Sequence, residues 1–144
     1  MAFTAAGAAA AQTGNDDTAV GVQASTTPGS AYQTSDGWCH FTNWGGNWYC
    51  LGTGIDVVYW NKPDGYPQVF VTGTDRSVWS RWSSSSGTSN WLDMGGVCNP
   101  NYGLPAKSNG WSITIACVGT DSNWWHNTRS TSGSWTGWLR GKGF

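Results

Sequence analysis

A short phrase recurs along this chain. Gly73-Thr74-Asp75 leads into Ser77-Val78-Trp79-Ser80, and 46 residues later Gly119-Thr120-Asp121 leads into Asn123-Trp124-Trp125-His126. Shifted back by 86 residues from that last copy, the same frame sets Thr34, Trp38 and His40 opposite Thr120, Trp124 and His126. Each copy runs on to a second tryptophan, in Asn47-Trp48-Tyr49, Asn90-Trp91-Leu92 and Gly137-Trp138-Leu139, with spacings of 43 and then 47 residues between the tryptophans. Such a repeat restricts the fold more than composition does: each unit is one supersecondary element that buries its apolar face only against a neighbouring copy.

The units are built from strands. All eight acids are Asp, Lys and Arg together number seven, and beyond the first dozen positions the good helix formers are scarce, whereas 12 Trp and 21 Gly suit short aromatic strands joined by tight turns. In the second copy strands are expected at Ile55 to Trp60, Gln68 to Thr72, Ser77 to Trp82 and Asn90 to Met94. In the third they fall at Leu104 to Lys107, Ser112 to Val118, Asn123 to Thr128 and Gly137 to Arg140, and the first copy holds only two, Gly37 to Thr42 and Asn47 to Gly52. Turns are expected at Pro63-Asp64-Gly65, Ser86-Gly87 and Asn109-Gly110. A period in the forties with about four strands per unit matches a β-propeller blade. The expected fold is therefore all-β, with propeller-like blades of four antiparallel strands, about two and a half of them, in an incomplete ring.

Upstream of Thr34 the chain changes character. Residues 1–11 (MAFTAAGAAAA) read as the end of a signal peptide or as an Ala-rich leader, and residues 12–33 as a flexible, extended arm with few apolar anchors. Residues 34–144 form the repeat domain. Four cysteines without metal-type spacing point to disulfides, with Cys39 expected to pair with Cys50 and Cys98 with Cys117 because sequence-local bridges suit adjacent strands. Disulfides and the leader together lead to the expectation of an exported protein in an oxidising compartment. A net charge of -1 offers no field for nucleic acid, and no stretch is long and apolar enough for membrane insertion.

The runs PQVFVTGTDRSVWSRW (Pro67 to Trp82), NWLDMGG (Asn90 to Gly96), SNGWSITIACVGTDSNWWHNT (Ser108 to Thr128) and SGSWTGW (Ser132 to Trp138) resemble the repeats of bacterial PLL-type lectins, which are related to tectonin-like and fungal lectin propellers. The resemblance covers Thr34 to the C-terminus. It implies blades that bind fucose-like or related sugars in the clefts between them, in rings of about seven. It also makes the expected compartment the outside of a bacterial cell. This chain has too few blades to close such a ring, so it is expected to assemble with copies of itself or to dock on other subunits.

A tryptophan face suits the C–H face of a sugar, and neighbouring polar groups suit its hydroxyls. The candidate ligand-binding residues are Trp38 and His40 on the first copy, Trp79, Arg81 and Trp82 on the second, and Trp125 and His126 on the third. Trp48, Trp91 and Trp138 are assigned to packing, and Asp75 and Asp121 to turns. With no Glu, no nucleophile elbow and no zinc motif, neither catalysis nor a cofactor or metal is expected; the acid pairs considered, Asp56 or Asp64 with Asp93, are weak candidates for glycoside cleavage. The leading expectation is a secreted lectin-like protein that recognises cell-surface glycan. Its rival is an adaptor subunit that bridges larger proteins through its arm and open blade edges. By analogy, its setting would be a multi-protein toxin particle secreted by actinobacteria.

Overall fold

A computed structural model describes residues 25–50 and 57–144. The leader, residues 12–24 of the arm, Ile55, Asp56 and the Gly52 to Gly54 stretch lie outside the described residues.

The described residues form three antiparallel sheets and no α-helix. The first sheet contains β1 (Ala31–Gln33), β2 (Trp38–Phe41) and β3 (Gly45–Tyr49). In the second, β4 (Val58–Asn61), β5 (Pro67–Thr72), β6 (Val78–Ser84) and β8 (Leu92–Asp93) lie side by side, while β7 (Gly87–Thr88) folds back on the far end of β6. The third runs β9 (Ala106–Asn109), β10 (Ser112–Val118), β11 (Trp124–Arg129) and β12 (Leu139–Arg140). Neither a closed barrel nor a closed ring is present among these residues.

Three sequence expectations shift here. The first sheet has three strands rather than two, because Ala31–Gln33, placed in the arm by its composition, pairs with β2 from Ala31 opposite Phe41 to Gln33 opposite Cys39. Its ladder is satisfied by backbone groups and needs no apolar pattern of its own.

The repeat frame also moves by one residue. Asp75 Oδ1 accepts the Ser77 N–H and the Trp79 indole N–H, both at 3.0 Å, and Asp121 Oδ1 accepts the Asn123 N–H and the Trp125 indole N–H, both at 3.1 Å. Between aspartate and strand, Arg76 and Ser122 take left-handed backbone at φ 69° and 64°, and in the first sheet Gly37 does so beside Asp36, which accepts the Trp38 N–H at 3.1 Å. Aligned on these turns, Asp36 matches Asp121, and His40 takes the place of Trp79 and Trp125 rather than that of His126. In a strand, one residue of slip reverses the face to which every side chain points.

Trp48 is also displaced. It pairs with Cys39, where the second sheet has Met94 bonded to Val78 and the third has Gly141 bonded to Trp124. The cause is the short β2–β3 hairpin, with a bulge between Cys39 and Phe41. Trp48, Trp91 and Trp138 are nonetheless all buried in packing.

The sheets stack with the second in the middle. On one face of it, Val69, Val71, Trp79 and Trp91 pack against Cys39, Phe41, Trp44 and Trp48 of the first sheet. On the other, Trp60, Phe70, Val78 and Met94 pack against Ile113, Ile115, Cys117 and Trp138 of the third. Successive side chains of β5 thus enter two different cores, which explains an almost continuously apolar strand. The expected disulfides are those present, Cys39–Cys50 and Cys98–Cys117. Cys98 also donates its backbone N–H to Arg76 O at 2.9 Å, so the second bridge ties the turn of the second sheet to β10 of the third.

Two outcomes follow. Replacing Cys98 and Cys117 by Ser should cost about 3 kcal/mol and lower the midpoint of thermal unfolding by roughly 10 °C, an effect that calorimetry would read and that a shift below 2 °C would refute. The turn aspartates make the fold acid-sensitive. The Thr34 hydroxyl and then the Trp38 N–H hold the Asp36 carboxyl below its ordinary value. At Asp121 some desolvation pushes the carboxyl up, but bonds from Trp125 and Asn123 outweigh it, and it also lies low. A depressed carboxyl binds fewer protons folded than unfolded, so its contribution is complete above a pH of about 4 and is lost as pH falls through the depressed range. Melting curves should be flat from about pH 5 to 7 and fall below about pH 4, with a shallower fall in Asp121→Asn.

Candidate functional site

A cleft of about 300 Å³ opens between the second and third sheets. Strand alternation builds both walls. On β6, Trp82 points towards the third sheet, beside Leu92 and Met94, with Gln68 from β5 and Lys62 from the turn after β4. On β11, Trp125, Asn127 and Arg129 share the face that looks back at the second sheet, and Arg129 reaches the cleft with Trp111, Gly133 and Trp135.

The polar groups are held from behind and face the cleft with capacity to spare. Arg129 Nη1 donates to Trp111 O at 2.6 Å, and its guanidinium lies between the Trp60 and Trp111 rings, 5.7 and 5.5 Å from their centroids. A Cβ on Gly133 would come within 3.3 Å of Arg129 Nη2, so glycine there leaves the guanidinium its room. Lys62 Nζ donates to Ser83 O at 2.8 Å and lies 3.5 Å from Asp64 Oδ2. Gln68 Nε2 donates to Ser80 Oγ at 2.9 Å. Three half-buried indoles, Trp82, Trp111 and Trp135, complete the lining, and Trp135 stands edge-on to Phe70 with centroids 5.9 Å apart. Lys62, Arg129 and the indole N–H groups are donors. Among the described residues that line the cleft, Gln68 Oε1 is the only side-chain oxygen and none carries a carboxylate.

Of the seven candidates read from the sequence, Trp82 alone lines this cleft. Trp38 and His40 lie on the outer face of the first sheet. Trp38 stands edge-on to Tyr49, with centroids 4.8 Å apart; His40 Nδ1 donates to Gly46 O at 3.0 Å, and its Nε2 is 2.9 Å from Thr34 Oγ1. Trp79, 5% exposed, is spent on Asp75 and on packing between the first and second sheets. Arg81, 6% exposed, donates to Ser89 O at 2.7 Å and to Trp44 O at 2.6 Å, tying the same two sheets together. Trp125 is bonded to Asp121, and His126 lies on the outer face of the third sheet with Nδ1 donating to Gly141 O at 2.9 Å. The seven are thus spread over four places: the outer face of the first sheet, the first–second interface, the second–third interface and the outer face of the third sheet. Asp64 and Asp93 each accept a backbone N–H, from Tyr66 and Gly95, as turn aspartates do.

Trp111, Trp135, Arg129, Lys62 and Gln68 were not among the candidates. For Arg129 a signal existed: it alternates with Trp125 and Asn127 along one strand, which puts it on the face that meets the previous repeat. Trp111 and Trp135 flank turns, and their convergence is a property of the stacking.

Replacing Arg129 by Met keeps the stem and removes the bond to Trp111 O and both ring contacts; urea denaturation should show a loss of about 2 kcal/mol, whereas unchanged stability would mean that the guanidinium is not structural. No protein-family model matches this chain, and no curated protein is significantly similar to it.

Proposed function

We propose that this chain is a non-catalytic adaptor of an extracellular assembly, built from three successive propeller-type blades whose stack is continued by other subunits. The reading rests on one observation: the two outer faces of the stack are the same faces that its interior buries. Within the chain, the Trp79 and Trp125 face of one sheet covers the Cys39 and Val78 face of the sheet before it. The first sheet turns its unmatched version of the one face to solvent, with Tyr32 45% exposed beside Trp38, His40 and Tyr49. The third sheet turns out its version of the other, with Leu139 48% and Phe144 45% exposed and Trp124 beneath Lys142, 5.3 Å from its ring. Aromatic faces of this kind are stabilised by burial, at roughly 25 cal/mol per Å² covered. The recurring turn, the common strand order and the uniform stacking direction support the blade reading. Two disulfides are consistent with life outside the cell, and among the described residues no helix is long and apolar enough to cross a membrane.

The second reading, a lectin-like protein for cell-surface glycan, is favoured by the aromatic cleft. It recedes because neutral sugars present hydroxyl donors that need acceptors, and this lining is short of them. Affinity-tagged chain recovered from the native extracellular fraction should co-purify in fixed ratio with a larger protein, and Tyr32→Arg or Leu139→Arg should abolish that complex without changing the circular dichroism of the chain. Recovery as a lone monomer, with glycan-array binding that disappears in Trp82→Ala, would overturn the adaptor reading in favour of the lectin.

A further inference from the structure

The seam between the first and second sheets is already filled, and its filling is informative. On the third sheet, Arg129 and Trp135 form the cross-strand pair that frames the cleft; the pair at the same place on the second sheet is Ser83 and Thr88. There the chain's own segment Ser25 to Ser30, STTPGS, runs along the seam. Thr88 Oγ1 donates to Ser25 O at 2.5 Å, and Ser83 Oγ to Thr26 O at 2.9 Å. From the first sheet, the Trp44 indole donates to Ser25 O at 2.9 Å and the Asn43 N–H to Pro28 O at 3.0 Å. Pro28 is buried, and Gly29 passes so close that a Cβ would meet Thr42 Oγ1 at 2.0 Å. At Ser25, Thr26 and Pro28 the walls donate and the segment's carbonyls accept.

From this we infer that the open cleft between the second and third sheets is a docking groove for an extended, proline-containing segment of a partner protein. The inference rests on the adaptor reading and names what that partner presents. Among the described residues, the groove is lined by the donor side chains of Arg129 and Lys62 and by the indoles of Trp82, Trp111 and Trp135, against a single side-chain oxygen, that of Gln68. A polyproline II segment matches that imbalance: its carbonyls are unpaired acceptors, its prolines have no N–H, and its rings lie flat on indole faces. A sugar hydroxyl has the same affinity for an indole face but brings a proton that must be accepted. The equivalent seam already holds a buried proline and accepting carbonyls.

The test uses the full chain and a blocked decaproline peptide, followed through the indole N–H resonances. Saturable shifts of the Trp82, Trp111 and Trp135 signals are expected, with affinity reduced about tenfold in Trp135→Thr and unchanged in Ser83→Ala, which removes only the hydroxyl bonded to Thr26 O in the filled seam and keeps the carbonyl that holds Lys62. Shifts of those three signals with methyl glycosides but not with decaproline would overturn the inference in favour of a sugar site, and no shift with either at millimolar concentration would overturn it as well. If the tagged chain keeps its larger partner in Trp135→Thr and loses it in Tyr32→Arg, the adaptor reading stands and the groove inference falls.

Discussion

Everything in this fold depends on which face of a strand a side chain occupies, and one carboxylate decides it in each repeat. When Asp75 or Asp121 accepts the backbone N–H two residues on, the turn closes; when it also accepts the indole four residues on, the phase of the next strand is set. With that phase fixed, alternate residues of β6 enter two cores. Asp36 closes the first turn in the same way, but a histidine stands where the other repeats have an indole. Among the described residues no preceding sheet packs on that face, and the histidine ring there is held by Gly46 O and Thr34 Oγ1.

Much of the architecture was legible in the sequence, because period and turn chemistry are local. Ser112–Val118 lies where its β-branched alternation places it, the three glycine turns fall at Gly65, Gly87 and Gly110, and both disulfides join the cysteines that are near in sequence. Neighbours on β11, Trp124 turns out beneath Lys142 and Trp125 turns in on Asp121, as strand alternation requires. What was hidden is whatever depends on hairpin length. The repeat frame was aligned on Thr34 rather than on Asp36, one residue out, and the short β2–β3 hairpin shifts Trp48 relative to Trp91; in a two-residue period such slips change partners. The cleft was hidden for a different reason. Tryptophan is abundant enough that its presence says little, and Trp82, Trp111 and Trp135 meet only because two sheets stack at a given depth. Arg81 and Trp79 looked like site residues, yet they are the fasteners between the first and second sheets.

The two inter-sheet seams show how one scaffold reaches two outcomes by exchanging a pair of side chains. Ser83 and Thr88 are short hydroxyls, and the backbone of Ser25 to Ser30 closes over them. Arg129 and Trp135 are long, and their bulk holds a gap that nothing in the described chain enters. The first seam thereby becomes part of the core, and the second stays available.

Lys62 forms an ion pair with Asp64, and the chain's charged residues amount to 10%. Cohesion comes from ring packing, hydrogen bonds in which turn carboxylates and buried cations are paired with neutral groups, two covalent bridges and an arginine lodged against aromatic rings. Mobile ions screen exposed Coulomb attraction over about 8 Å at physiological ionic strength, but they act little on contacts of these kinds. A molecule assembled this way draws little of its cohesion from exposed charge pairs, the contacts that ionic strength weakens most.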